Sequence, residues 1–554
     1  MTQKKRSSLK IIPLGGLGEV GKNIMAIEYN NDMIVIDAGQ MFPDEEMFGI
    51  DMVLPDYSYL IKNRDKIRGI IITHGHEDHT GALPYLLKEM KKPVYGTGLT
   101  LGLIKPKLEE HRVKGVKLTE IFPGKSLNLG CFNIDFMRVS HSIPDAVGLA
   151  IKTPEGTIIH TGDFKFDQTP IDGHLTDFNK FASYKGKTLV MLSDSTNAES
   201  SGFTLPEKSV GESLRDIIAQ SKKRVLVASF ASHIHRIQQV IDAAVVNKRK
   251  IAVYGRSMIK NIEIASNLGY LKIPENKMID ITEVSKMRPE KVLVICTGSQ
   301  GEPLSALSRI AAKNNKFIDI VPGDTVIISA KPVPGNEKSV TRIINLLFKG
   351  GAEVFYKSVS EVHVSGHAAQ EELKMMLNLV GPKYFIPIHG EYRHLKYHSK
   401  LAKTVGIPEQ NIFVAENGSV IEFNHGKAWM KEKVTAGSVF VDGLGVGDIG
   451  NIVIRDRQVL AQDGILIVTV TVNAQTGEIL AGPDLISRGF VYERKSGDLL
   501  EGARVQVIKA LERDAKEKIS DWSILRNDVR NTLTRFFWEK TKRRPMIMPI
   551  IVEL

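Results

Sequence analysis

The sequence predicts a layered α/β protein made of three parts. Three observations carry that prediction. Strand and turn signals dominate as far as about Ser200, regular strand–helix alternation follows to about residue 350, and two long helical stretches beside apolar strands close the chain. The first part opens with a strand over 9–14. A hairpin over 23–29 and 33–37 turns at Asn30-Asn31-Asp32. A buried strand over 68–73 runs into His74, and a helix is expected over 80–90. Strand and turn alternation then continues to Asp163, including strands over 147–153 and 157–161.

In the second part the alternation is helix 207–220, strand 224–229, helix 235–248, strand 251–254, helix 257–268 and strand 291–297. This order predicts a doubly wound parallel sheet. The chain then returns to apolar strands at 383–388 and to a hairpin over 412–423. Residues 426–450 are Gly-rich and read as an irregular linker. A small α+β tail follows, with a strand over 465–472, helices over 502–519 and 524–540, and a last strand over 546–552. The resulting boundaries are 1–205 and 356–425 for a split first domain, 206–355 for the insert, 426–450 for the linker and 451–554 for the tail. The 554 residues leave ample length for these cores, at ~150 residues per domain.

Composition excludes several classes. Hydrophobic residues make up 42% and charged residues 25%, as in ordinary globular proteins and unlike disordered, collagenous or coiled-coil chains. The 2 cysteines, Cys131 and Cys296, cannot form a disulfide framework and fit a reducing compartment. The basic N-terminus is not followed by an apolar signal region, and no run approaches ~18 apolar residues. The expectation is a cytoplasmic protein with no membrane association. The formal net charge of +11 is compatible with a polyanionic partner.

The densest chemical signal is Thr73-His74-Gly75-His76-Glu77-Asp78-His79, directly after an apolar strand. In extended backbone His74 and His76 project to one side. Asp78 and His79 then follow from the turn at the helix start. Imidazole and carboxylate together suit Zn²⁺ or Mn²⁺. Each of these groups, if buried without a cation, would need its own polar partner. Asp37, Asp163 and His389 each end a strand, in Ile-Asp-Ala-Gly, Thr-Gly-Asp-Phe and Ile-His-Gly-Glu. His141 lies in Val-Ser-His-Ser-Ile. Any one of these alone is ordinary turn or core chemistry.

In that order, Asp37, the His74-x-His76-x-Asp78-His79 run, His141 and Asp163 resemble the metallo-β-lactamase superfamily. Asp194 in Leu-Ser-Asp-Ser-Thr-Asn, His367 in Val-Ser-Gly-His-Ala and His389 resemble its β-CASP nuclease branch. Three further segments, 15–23 (Gly-Gly-Leu-Gly-Glu-Val-Gly-Lys-Asn), 230–236 (Phe-Ala-Ser-His-Ile-His-Arg) and 297–303 (Thr-Gly-Ser-Gln-Gly-Glu-Pro), are similar to the bacterial ribonuclease J family across the whole chain. The resemblance implies an αββα sandwich with an inserted β-CASP domain. It implies two divalent ions, Zn²⁺ or Mn²⁺ with Mg²⁺ as a further candidate. His74, His76 and His141 would hold one, and Asp78, His79 and His389 the other. Asp163 would bridge them and Asp37 would support a ligand. His367 would be the general acid, oriented by Asp194.

The same resemblance gives Ser232-His233-Ile234 and His363-Val364-Ser365-Gly366-His367 as a pocket for a 5′-terminal phosphate. It also implies a structural cation, suited to Ca²⁺, at Phe48, Ile50 and Asp442, although that loop reads better as an ordinary one. The motif Gly16-x-Gly18-x-x-Gly21 is formally a dinucleotide fingerprint. A strand rather than a helix is expected after it, so it reads as a loop lining the metal cleft. Short basic runs at 4–6, 222–224, 248–250 and 542–544 could together track a nucleic-acid backbone.

The expected activity is a metal-dependent ribonuclease, 5′-to-3′ exonucleolytic and endonucleolytic, favouring 5′-monophosphate ends. Single-stranded messenger RNA and ribosomal RNA precursors are the expected substrates. Homodimers or homotetramers through the tail, a paralogous subunit and other RNA-decay factors are the expected partners. Two rivals are a lactone or thioester metallohydrolase and a non-catalytic RNA-binding subunit. The insert and the motifs at Asp194, His367 and His389 speak against the first, and the intact ligand set against the second.

Overall fold

The computed structural model describes residues 7–44, 46–302, 304–333, 335–474, 476, 478–491, 497–517, 519 and 521–554. The basic run Lys4-Lys5-Arg6 and Pro303 of the 297–303 motif lie outside them. The chain divides into two compact units, residues 1–42 with 52–439, and residues 43–51 with 440–554.

In the first unit two sheets face each other. One orders its strands Lys427–Lys431, Val420–Asn424, Leu9–Gly15, Ile24–Tyr29, Asp32–Ile36, Ile67–Ile71, Val94–Gly96 and Leu118–Glu120. The other orders Tyr384–Ile388, Thr188–Asp194, Gly156–His160, Val147–Thr153, Phe132–Arg138 and Ser126–Leu129. The two-residue period of each strand sorts its side chains into layers. Ile34, Ile36 and Ile71 point between the sheets, where they meet Phe136, Leu149, Leu192 and Ile386. Met33, Val35, Ile70 and Ile72 point outward and are covered by Leu83, Leu86 and Leu87 of the helix Leu83–Glu89. On the far side Met191 and Phe385 pack under Leu373, Met376 and Leu377 of the helix Gln370–Val380. The layers are therefore helix, sheet, sheet, helix.

A third sheet carries Lys250–Tyr254, Val292–Cys296, Val225–Ala228, Thr325–Ile328 and Glu353–Tyr356, all parallel, with the short Met278–Ile279 at one edge. Helices cover both faces, which is why its strands read as unbroken apolar runs. The chain enters this sheet after Asp194 and is back on the sandwich by the helix Gln370–Val380.

In the second unit Ile465–Val472 pairs antiparallel with Ile479–Arg488 and parallel with Met546–Glu553. Alternate residues Leu466, Val468 and Val470 face Val507, Val529, Leu533 and Phe537 from the helices Gly497–Lys516 and Trp522–Thr541.

Three expectations are corrected. Residues 426–450 are not irregular, since Lys427–Lys431, Ser438–Asp442 and Gly445–Val446 are strands. The hairpin expected over 412–423 lies instead between Val420–Asn424 and Lys427–Lys431, around His425 (φ 47°) and Gly426 (φ 70°). Two left-handed residues make the tight turn, and a His in the first of them is a weak signal next to the usual Asn-Gly. The tail opens with a helix, Asn451–Asp463, ahead of its first strand.

Candidate active site and metal centre

The predicted site residues gather at one edge of the sandwich, because the strands that carry them are parallel and end together. Asp32–Ile36 runs parallel to Ile67–Ile71, bringing Asp37 beside Thr73 and His74. Gly156–His160, Thr188–Asp194 and Tyr384–Ile388 are likewise parallel, and Asp194 lies opposite Ile388. Asp163, Asp194 and His389 therefore emerge from the same edge. His76 precedes a short helix, Glu77–Thr80, whose first turns carry Asp78 and His79. His141 follows Phe132–Arg138, and its Nδ1 donates to the Gly366 carbonyl at 2.8 Å.

Two ligand-type groups result, His74, His76 and His141 in one and Asp78, His79, Asp163 and His389 in the other. Asp163 Oδ2 faces ring nitrogens of His79 at 3.2 Å, His389 at 3.4 Å, His74 at 3.7 Å, His141 at 3.9 Å and His367 at 4.0 Å. Asp78 Oδ2 is 3.2 Å from His389 Nε2 and 3.5 Å from His79 Nε2.

Hydrogen-bond direction shows which nitrogens carry lone pairs into the cluster. A carboxylate only accepts, so His79 Nδ1–H donates to Asp37 Oδ2 at 2.8 Å and leaves Nε2 bare. The Thr73 hydroxyl donates to Asp37, so His74 Nδ1–H donates to Thr73 Oγ1 at 3.1 Å and its Nε2 is bare too. His141 Nε2 is bare by the same logic. His74 Nε2 and His141 Nε2 then meet His76 Nδ1 at 3.0 and 3.2 Å. At most one proton lies among these three nitrogens, so they cannot satisfy one another. A cation satisfies them all, and the donor set of imidazole and carboxylate fits Zn²⁺ or Mn²⁺.

Titration states separate the two groups. Burial, then neighbouring imidazoles, push His74 and His141 well below the usual histidine range, and burial takes His76 down to about 4. These rings are neutral and able to ligate. Burial opposes charge on Asp163 and Asp78, but His389 and His79 beside Asp163, and His79 beside Asp78, hold both carboxyls well below the usual range. Burial also opposes charge on His79 and His389, yet Asp163 and the neighbouring carboxylates hold His79 well above its usual range and raise His389 to about 9, so an ion at this second group takes the place of a proton on each ring.

His367 lies beside the cluster, its Nδ1 2.7 Å from Asp194 Oδ2, although the two are far apart in sequence. Burial opposes its protonation, and the Asp194 carboxylate outweighs burial and raises it.

The 15–23 loop does line the site. Asn23 Nδ2 donates to the Asp78 carbonyl at 3.1 Å and lies 3.2 Å from His79 Nε2. A strand, Ile24–Tyr29, follows it, as a dinucleotide site would not allow.

At the C-terminal ends of the parallel sheet, His233 caps the helix Ile234–Val246, and its Nδ1 accepts from the Arg236 N–H at 3.3 Å. Its Nε2 is buried without a hydrogen-bond partner among the described residues, with Glu207 Oε2 3.8 Å away, and His363 Nδ1 is likewise without one. Ser365 Oγ accepts from the His367 N–H. The side chains of Ile234 and Val364 are buried in the core of the inserted sheet, so only their backbone is left to such a pocket.

Two further expectations are corrected. At the proposed structural cation, a guanidinium is already present. Arg457 pairs with Asp442 Oδ2 at 2.6 Å and donates to the Phe48 carbonyl at 2.8 Å, while Ile50 is a buried apolar residue. In the basic runs, Arg224 is paired with the buried Asp324, and Arg249 is buried with its guanidinium on the carbonyls of Ser221, Lys223 and Val292. Both hold the fold together and offer nothing to a phosphate. Sequence reasoning missed Thr73, Thr196, Asn23 and the buried Glu207–Arg236 pair. Thr73 directly precedes His74 and Thr196 lies two residues after Asp194, and that proximity is their only signal.

Comparison with known proteins sets this geometry in a family. Family models match over residues 17–233 (metallo-beta-lactamase superfamily), 222–347 (ribonuclease J, beta-CASP domain), 352–415 (Zn-dependent metallo-hydrolase RNA specificity domain) and 452–554 (ribonuclease J C-terminal domain). Ribonuclease J2 of Bacillus subtilis is 45% identical over 557 residues, covering 100% of both chains. The chain belongs to the ribonuclease J family. Ribonuclease J 1 of Streptococcus pyogenes serotype M3 is 44% identical, covering 99% of this chain and 98% of its own. A solved structure of a protein of unknown function from Enterococcus faecalis V583 has a TM-score of 0.54 at 16% identity, over 75% of this chain and 100% of that one, a likeness of fold alone. The architecture is thus a metallo-β-lactamase domain with an inserted β-CASP domain and a ribonuclease J tail, and the enzyme class is a metal-dependent hydrolytic ribonuclease. No helix among the described residues is long and apolar enough to cross a membrane.

Proposed function

We propose that this member of the ribonuclease J family removes nucleotides from the 5′ end of single-stranded RNA, cuts internally as well, and prefers a 5′-monophosphate. The observation that carries the reading is the convergence of imidazole nitrogens on Asp163 Oδ2, with the His367–Asp194 pair at its margin. His74, His76 and His141 would hold one divalent ion and Asp78, His79 and His389 a second, with Asp163 between them. Asp37 holds the His79 ring in the ligating tautomer. Two such ions supply Lewis-acid activation of water and neutralise charge on a phosphodiester.

The protein's own groups do the rest. His367, kept protonated by Asp194, donates to the departing 3′ oxygen, a step worth roughly 10²–10⁴ in rate. Because Asp194 accepts from Nδ1, the other ring nitrogen delivers that proton. His233, its Nδ1 occupied by a backbone N–H, offers a buried Nε2–H to an anion, with Ser232 beside it in the chain, His363 close enough to act on it electrostatically, and Ser365 and the Gly366 backbone on the same segment as His363. A 5′-monophosphate held there sets the first phosphodiester at a fixed distance from the cluster, and a triphosphate overfills the pocket. RNA decay and the trimming of ribosomal and messenger RNA in the cytoplasm, in homodimers or homotetramers or beside a paralogous subunit, complete the proposal.

The test uses RNA labelled at its 5′ end, carrying a monophosphate or a triphosphate, with and without chelator. Labelled mononucleotide released from the monophosphate substrate and suppressed by chelation is the expected result. Equal rates on both ends would remove the pocket, and chelator-resistant cleavage would remove the metal reading.

A further inference from the structure

Thr196 stands between the two halves of the site. Its N–H donates to Asp194 Oδ1 at 2.9 Å, and its Oγ1 contacts the same oxygen at 2.8 Å, the His389 carbonyl at 3.2 Å and His389 Nδ1. A hydroxyl carries a single proton. Two of these three neighbours can only accept, so that proton goes to one of them. His389 Nδ1 must therefore be the donor toward Thr196, which leaves Nε2 as the nitrogen facing Asp78 and Asp163. Asp194, meanwhile, gives its Oδ2 to His367 and its Oδ1 to Thr196.

We propose that Thr196 is a positioning residue whose hydroxyl fixes the tautomer and ring orientation of His389 for metal binding and, through the same oxygen, holds Asp194 in register with His367. It links the metal-ligating half of the site to the proton-donating half. The pattern repeats one already in the site, where Thr73 links Asp37 to the His74 ring. The inference rests on the two-ion reading of the site, and it requires the hydroxyl specifically. Thr196→Val keeps the side-chain shape and removes the donor and acceptor, whereas Thr196→Ser keeps both.

Apo-protein is dialysed to equilibrium against Mn²⁺, without RNA, for the wild type, Thr196→Val, Thr196→Ser and Asp163→Ala. Outer partners of metal-binding histidines are worth about 10–100-fold in affinity. Thr196→Val should therefore bind one of its two ions about 10–100-fold more weakly, with the other unchanged. Thr196→Ser should stay within about threefold of the wild type. At saturating Mn²⁺, Thr196→Val should still turn over more slowly, with KM for RNA unchanged, because Asp194 has lost an anchor. Wild-type affinity for both ions in Thr196→Val overturns the proposal. So does a Thr196→Ser variant that falls as far as Thr196→Val, since the hydroxyl would then not be the working group. Failure of the site reading looks different, because the wild type would bind no Mn²⁺ or Asp163→Ala would bind as much as the wild type, and the proposal would fall with it.

Discussion

Replacing Arg236 by Met should be among the most damaging single changes outside the ligand cluster. The guanidinium is fully buried, and Glu207 is 5% exposed. Their contact is bidentate, Nε to Oε1 at 2.5 Å and Nη2 to Oε2 at 3.0 Å. Nη1 adds bonds to Ser329 Oγ at 2.5 Å and to the Val362 carbonyl at 2.9 Å. Removing one partner of a buried pair costs about 3–5 kcal/mol, since the remaining charge has no water to return to. The Val362 carbonyl still accepts from the Ser329 hydroxyl at 2.6 Å, so the bonds lost there add at most about 1 kcal/mol. For a domain with a urea slope of about 2–3 kcal/mol/M, a loss of about 5 kcal/mol lowers the unfolding midpoint by about 2 M. Removing both charges, as Glu207→Gln with Arg236→Met, should recover at least half of that, because no unpaired charge is left inside. Val362 precedes His363, so the single variant should also lose discrimination between 5′-monophosphate and 5′-triphosphate RNA. Urea unfolding followed by fluorescence, with kcat/KM on the two RNAs, reads both effects. A midpoint within about 0.5 M of the wild type, or a double variant as damaged as the two singles summed, would refute the reasoning.

His367→Ala should lower kcat by roughly 10²–10⁴ while bound metal, measured by elemental analysis, stays at the wild-type level. Gly39→Ala should cost both activity and metal, because a Cβ there would stand 1.6 Å from the Asp78 carbonyl oxygen and 2.8 Å from the His79 nitrogen. Gly437→Ala, with nothing within 4 Å, is the neutral comparison, and elemental analysis of the two variants decides the point. His398 is buried, with Nδ1 on Ser195 Oγ at 2.9 Å, and burial brings it down to about 3. Its unfolded value is about 6.5, so between these values the unfolded chain binds the extra proton and stability falls as pH falls. The loss approaches about 1.4 kcal/mol per pH unit, and His398→Gln should lose less stability than the wild type between pH 7.5 and 5 when urea midpoints are compared.

What could be read from the chain alone was whatever has a local period or a dense motif. The His74 to His79 run was legible because four ligand-type side chains follow a buried strand within a few residues. The doubly wound insert was legible because strands buried on both faces are continuous apolar runs. What stayed hidden depended on where distant segments meet. Asp194 and His367 are 2.7 Å apart in space, and only family resemblance paired them beforehand. Arg224 and Arg249 looked like members of surface basic runs, and nothing local marks the carboxylate or carbonyls that bury them. The Asp442 loop looked able to hold a cation, and the positive charge that meets it comes from Arg457, fifteen residues later on a helix whose helical period was not read.

The backbone offers a reason why the ligands sit where they do. Asp37 and His389 are both in the left-handed region, at φ 61° and 55°, and each directly follows a strand. Asp and His tolerate that region better than β-branched or bulky apolar residues do. A residue that continued the strand would send its side chain along the alternating pleat, into the core or toward the covering helices. The left-handed turn breaks the alternation at the strand's end and aims the side chain across the sheet edge, where Asp37 reaches the His79 ring and His389 reaches Asp78. Such conformations cost of order 1–3 kcal/mol and persist only where the surroundings hold them. Here those surroundings are Thr73 at Asp37 and Thr196 at His389. The strained positions and the threonines that restrain them are therefore parts of one device. It turns the ends of parallel strands into a cage of ligands, and it explains why residues so far apart in sequence can be held to a common centre.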